Sequence, residues 1–179
     1  MKMNLLFDYP LRGYTLENMA RIILRRKNNH NFIFCCQHFD SVEEITTKYR
    51  LDCTNVAVII NELNCNGLKS DLIEFILDDN ISRKVIKINF YDVKSRLFNT
   101  QRKYSEMCIS NYEFMQNLKS LGCGVFVVSI LLYENWCFDF EIFDLDKIVL
   151  RIYDSAAKKT VFFSEYSNKD NGIKDNIIV

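Results

Sequence analysis

The sequence predicts an α/β protein: a three-layer, mostly parallel five-stranded sheet with a small β extension at its C-terminal end. Three observations predict it. Strand-like and helix-like apolar patterns alternate over residues 3–132 with short connections, the pattern of a parallel sheet with helices on both faces. Residues 56–60, Val-Ala-Val-Ile-Ile, form a run dominated by β-branched side chains, the mark of a strand covered on both faces. Beyond residue 132 helical periodicity stops and only β-rich segments follow. The expected organisation is an α/β domain over 1–132 and a β-rich extension over 133–179 that ends in a polar, frayed tail.

Residues 3–7 are a short apolar run ending at Asp8-Tyr9-Pro10. Thr15 can cap a helix whose Leu16, Met19, Ala20, Ile23 and Leu24 fall on one face, with Arg25, Arg26 and Lys27 at its C-terminal end. Residues 31–37 are β-rich. Ser41 opens a short helix with Val42, Ile45 and Tyr49 inward, and Ser41-Val-Glu-Glu44 reads as a capping box. Residues 56–60 are the expected central strand, 70–79 a helix with Leu72, Ile73 and Ile76 inward, and 84–91 a further strand. Residues 92–109 are polar and longer than an ordinary connection, an extra helix or a mobile insertion. Ser110 or Asn111 opens a helix carrying Phe114, Met115, Leu118 and Leu121, ended by Gly122, and 125–132 follow as a strand. The tail segments 138–143, 148–153 and 160–163 read as an antiparallel meander, with Trp136 packing it onto the sheet.

Composition excludes several classes. The chain has 179 residues, room for one good core and not comfortably for two. Lys+Arg and Asp+Glu are both 23, so no overall field draws the protein to nucleic acid or an anionic membrane. The seven cysteines are odd in number and form no CxxC pair; most sit in apolar runs, as reduced buried thiols of a cytoplasmic protein do. His30 and His38 lack metal-ligand spacing with them, so no metal site is expected. The N-terminus meets an acidic residue too early for a secretory leader, and no apolar run is long enough to cross a membrane.

Three stretches occur in a telling order: Asn4-Leu-Leu-Phe-Asp-Tyr-Pro-Leu-Arg-Gly13, Val56-Ala-Val-Ile-Ile-Asn-Glu-Leu-Asn-Cys-Asn-Gly-Leu68, and Leu118-Lys-Ser-Leu-Gly-Cys-Gly-Val-Phe-Val-Val128. They resemble the first strand, the third strand with its phospho-acceptor loop, and the fourth helix entering the fifth strand of the receiver domain of response regulators. The subgroup suggested is the one usually linked to a helix-turn-helix domain. The resemblance implies a flavodoxin-like topology, and also what is missing from it. The family's acid pair falls at Phe7-Asp8, its phosphorylated aspartate at Asn61, its hydroxyl near Asn89 and its lysine near Val128 or Ser129. Only Asp8 keeps the expected chemistry, and an amide at Asn61 cannot form an acyl phosphate. The implied protein is a pseudo-receiver: a non-enzymatic, phosphorylation-independent regulator of a signalling or transcriptional circuit. It would use no cofactor and act through protein contacts, including self-association through the fourth helix and fifth strand.

Three other readings compete. Residues 43–68 fit the apolar skeleton of a helix-turn-helix, although its would-be recognition helix holds no Lys or Arg for phosphates. Gly122-Cys123-Gly124, with Gln116 and a distant histidine, resembles a cysteine-protease signature, but Cys123 precedes a strand-like run instead of a helix. A neutral, motif-poor single domain also suits an immunity protein that neutralises a toxin.

Overall fold

In the computed structural model of the chain, residues 9–28, 32–79, 81–97, 104–132, 138–145, 149–155 and 158–164 are described. The segment 3–7, Phe7 and Asp8, residues 133–137 with Trp136, and the polar tail lie outside them. Helix α1 (Tyr9–Asn28) starts ahead of Thr15, since Pro10 falls in its first turn, where a missing N–H is tolerated. Its Leu16, Ala20 and Leu24 recur every four residues and are buried. A short strand, β1 (Ile33–Cys35), leads to α2 (Val42–Lys48). The Ser41 hydroxyl accepts the Glu44 N–H at 3.1 Å, as the capping box predicts. Glu44 reaches back one residue further than expected, to the Asp40 N–H at 3.0 Å.

The first correction falls on residues 56–60. They are not a strand: Val56 ends a single 3-10 turn and α3 (Ala57–Asn66) follows. Val56, Ile59 and Leu63 are buried while Ala57, Val58 and Asn61 are exposed, a helical period. Asp52 sets up the turn, its Oδ1 accepting from the Thr54 N–H (3.1 Å) and hydroxyl (2.6 Å). Burying one face against α2 and the sheet outweighs a modest β propensity.

The second correction is the reverse. Residues 70–79 are not helical but contain β2 (Leu72–Leu77), whose apolar residues face both sides of the sheet. Next comes β3 (Val85–Leu97), which runs well into the stretch expected to be an insertion. Beyond it lie β4 (Tyr104–Cys108), α4 (Ile109–Ser120), β5 (Gly124–Leu132) and β6 (Phe138–Asp144). Two final strands are β7 (Val149–Ser155) and β8 (Lys158–Ser164). Gly122, at φ 89°, ends α4 in the left-handed conformation the sequence called for.

The third correction concerns the sheet, which is five-stranded but mixed, in the order β1-β2-β3-β5-β6. Only β3 and β5 are parallel; β1–β2, β2–β3 and β5–β6 are antiparallel. Connection length explains this. A short connection joins β2 to β3, where Asp79 Oδ1 accepts from the Ile81 and Ser82 N–H groups at 2.6 Å each. Between β3 and β5 the chain carries α4, and a parallel pair needs a crossover of that kind. Strands β4, β8 and β7 form a separate antiparallel sheet.

Two apolar cores result. On one side α2, α3 and α4 contribute Ile45, Leu63 and Leu118 to a core with Ile73, Phe75, Ile88 and Phe90. On the other, α1 packs Leu16, Ala20 and Leu24 with Ile33, Leu72, Tyr91, Val128 and Ile130. Among the described residues no helix is long and apolar enough to cross a membrane.

Candidate active site

Strand β3 outruns its neighbour. The β2–β3 pairing starts at Leu72 opposite Tyr91, and from Asn89 to Leu97 β3 pairs with β5. Past Tyr91 its other edge therefore has no β2 strand beside it. Asp71, immediately before β2, fills the gap with its side chain: Oδ2 accepts the Val93 N–H at 2.6 Å, while the Asp71 N–H donates to the Tyr91 carbonyl at 3.2 Å. The antiparallel register thus sets Asp71 next to Asp92 across the strand pair. Asp92 and Lys94 are two residues apart and project from the same side of β3. Lys94 Nζ stands 2.6 Å from Asp92 Oδ2, an ion pair in contact but not in hydrogen-bonding alignment. Asp92 is 2% exposed, so it forms the floor of the group, while Lys94 and Asp71 are part-exposed.

Helix α1 lies on the face of the sheet that Tyr91 and Val93 occupy, while Asp92 and Lys94, alternating with them, turn to the other face. From the α1 side Glu17 acts on Asp71 and Asp92 through its charge at the end of β2. Gln37, in the turn after β1, donates from Nε2 to Glu17 Oε2 at 2.6 Å. Burial first, and then the charges of Asp71 and Asp92, push the Glu17 carboxyl up to about 7 against the opposing pull of Gln37 and Lys94. Asp71 is likewise pushed up to about 6, by burial and then by Asp92, while Lys94 and the Val93 N–H hold it back. Both shifts have one origin: carboxylates gathered in a part-buried place with a single lysine among them. Groups perturbed in this way concentrate at functional sites.

The arrangement suits a hard, oxygen-seeking cation. Three carboxylates and one ammonium sum to a formal −2 when all are ionised, the charge a divalent cation neutralises. Among the described residues, no three His, Cys, Asp or Glu side chains stand close enough to enclose a metal ion unaided. A magnesium-like ion does not need that, since it is commonly held by one or two carboxylates together with water and substrate phosphate. Asp71 and Asp92 are such a pair.

None of these residues was singled out from the sequence. Asp92-Val-Lys94 carried the available signal: an acid and a lysine at strand spacing directly after an apolar β run. Asp71 was hidden by the helical reading of 70–79, and Glu17 is one charged position among several on α1. Of the residues the sequence singles out, Phe7 and Asp8 lie outside the described residues, and Asn61 stands apart from Asn89 and Val128. Asn61 is exposed on α3, which packs on the opposite side of the sheet from α1. Val128 is buried in β5 in the α1-side core. Asn89 is buried in β3, where its Nδ2 donates to Glu74 Oε2 at 2.7 Å.

The thiols point away from cysteine catalysis. Burial pushes Cys123 up to about 11 and Cys36 up to about 12, opposite to the direction a nucleophile requires. The helix-turn-helix reading of 43–68 matches the secondary structure seen, α2 followed by α3. Its charges are Lys48 and Arg50 against Glu43, Glu44, Asp52 and Glu62, an excess of acid where DNA backbone contacts need cations. No family model matches the chain, and no curated protein matches it.

Proposed function

We propose that this protein is a divalent-cation-dependent hydrolase of phosphodiesters. The observation that carries the reading is the pair Asp71 and Asp92, facing each other across β2 and β3 with Lys94 in ion-pair contact and Glu17 alongside. This departs from the non-enzymatic expectation, which rested on other residues. Asp71 and Asp92 would hold the cation, which supplies Lewis acidity toward a phosphoryl oxygen and a more acidic water. Lys94 offers a point charge to a phosphate oxygen. Glu17, with its carboxyl near neutrality, is suited to take a proton from the attacking water. Water adds to phosphorus, the bond to the leaving oxygen breaks, and that oxygen takes a proton from solvent. With one divalent cation the site is neutral, which favours a monoanionic diester over a dianionic monoester. The test uses bis(p-nitrophenyl) phosphate with the full chain. Release of p-nitrophenolate should need added Mn²⁺ or Mg²⁺, stop with chelator, and fall to the buffer rate in Asp92→Asn. Equal rates for native and variant chains contradict the reading.

A second reading keeps the regulatory expectation, in which the chain acts through a protein partner. It is favoured by the outer face of α3, where Val58 is 68% exposed beside Ala57 and Asn61 and no cation is present. It predicts that a partner captured from the native host is lost with Val58→Glu, and that acetyl phosphate leaves the mass of the chain unchanged.

A further inference from the structure

The site depends on β3 meeting β2 and β5 in one particular register, and apolar patterning does not choose it. Strand β5 reads Gly124-Val-Phe-Val-Val-Ser-Ile-Leu-Leu132, with apolar residues on both faces, and β3 opposite is apolar from Ile88 to Val93 apart from Asn89 and Asp92. A one-residue slip between two such strands exchanges apolar for apolar at most positions. A one-residue slip of β3 against both neighbours would nevertheless carry Asp92 and Lys94 to the other face and part Asp92 from Asp71. Something else must set the alignment.

A row of polar and small residues crosses the sheet at one level: Glu74 in β2, Asn89 in β3 and Gly124 in β5 are register partners. Glu74 is fully buried, and its Oε2 accepts from both Asn89 Nδ2 (2.7 Å) and the Tyr91 hydroxyl (2.5 Å). The Asn89 amide is thereby held so that Oδ1 lies against Gly124. A Cβ built there would stand 2.2 Å from that oxygen, closer than real contacts allow. Only glycine fits beside this amide. A slip in either direction would bring up Cys123 or Val125 instead, and would strand a buried carboxylate and amide, a costly outcome in an apolar interior. The arrangement is not complete in hydrogen bonds, since Glu74 Oε1 and Asn89 Oδ1 have no donor among the described residues. Its value therefore lies in selection between alignments.

We infer that Glu74, Asn89 and Gly124 are positioning residues: they fix the register that brings Asp92 and Lys94 to Asp71. The functional part of this inference rests on the cation-site reading above; the register part does not. The test measures Mn²⁺ binding to the full chain, well below the melting temperature, in native protein, Gly124→Ala, Glu74→Gln and Leu118→Ala. Leu118→Ala is a destabilised control in the opposite core. Gly124→Ala should lose about tenfold or more in Mn²⁺ affinity, the scale typical of residues that orient ligands. Glu74→Gln, whose amide oxygen can accept the same two donors, should bind like the native chain, and so should Leu118→Ala. Native affinity in Gly124→Ala, or an equal loss in Leu118→Ala, overturns the inference. Should Gly124→Ala not fold, Asn89→Ser removes the mark without a clash and must show the same loss. Register is read separately by cross-strand NOEs at the Asn89–Gly124 and Lys94–Ser129 pairs. A native chain that shows these contacts but binds no Mn²⁺ contradicts the functional reading alone. Unchanged contacts in the variants contradict the register inference alone.

Discussion

Two polar groups interrupt the same sheet, and they differ in what surrounds them. Glu74, Asn89 and Tyr91 are sealed beneath α1, with one carboxylate oxygen serving two neutral donors. Asp71, Asp92, Lys94 and Glu17 gather where β3 outruns β2, buried at the floor and open at Lys94 and Gln37. A sealed carboxylate bonded to neutral donors can order a structure but cannot meet a substrate. An open cluster with surplus negative charge costs stability as it stands and gains from a cation. The contrast separates residues that hold the fold from residues suited to chemistry.

The sharpest way to break the comparison is to neutralise one member of each group. Asp92→Asn should reduce cation-dependent hydrolysis by about a hundredfold or more while leaving thermal stability equal or higher, because it removes one of three like charges gathered around a single lysine. Glu74→Ala should do the opposite. It leaves the Tyr91 hydroxyl and the Asn89 amide without their acceptor, at about 1–3 kcal/mol for each, and any loss of rate should follow the unfolded fraction. Denaturant melts and initial rates on the same preparations check both.

A pH titration gives a smaller and more discriminating effect. Glu17 and Asp71 are raised above their unfolded values, so their contribution is most favourable below about pH 4. It is lost as pH rises through about 6 for Asp71 and about 7 for Glu17. Stability should therefore decline from pH 5 to pH 8 without divalent cation, and added Mg²⁺ should restore part of it. Glu17→Gln should flatten the upper part of that decline. Discounted for screening at a half-buried position, it should raise the melting temperature at pH 8 by about 2 °C. An unaltered pH profile in Glu17→Gln would remove Glu17 from the cluster. A control lies outside both groups: Ser41→Ala, which removes the α2 cap, should cost about 1 kcal/mol without changing cation binding.

The sequence was readable where one period dominated. The Leu16, Ala20, Leu24 stripe of α1, the Ser41 cap, the α4 face with Phe114, Met115 and Leu118, and the Gly122 terminus are all as expected. It misled where an apolar run suited two periods. In residues 56–63, Val56, Ile59 and Leu63 also satisfy a helix, and the ten-residue length of α3 was the better guide. In β2, Leu72, Ile73 and Ile76 satisfied a helix while Phe75 and Leu77 completed a strand apolar on both faces. Those two reversals decided the topology, because a strand assigned to α3 and a helix assigned to β2 imitate a parallel α/β order. The site was less legible still. Its members come from α1, the start of β2 and the part of β3 beyond β2, and only the fold brings them together.

The most direct measurement is a titration of the native chain and Asp92→Asn with Mn²⁺ by water-proton relaxation. The account predicts saturable binding to the native protein and its loss in the variant. Identical curves for the two, or no binding by the native chain, would contradict it.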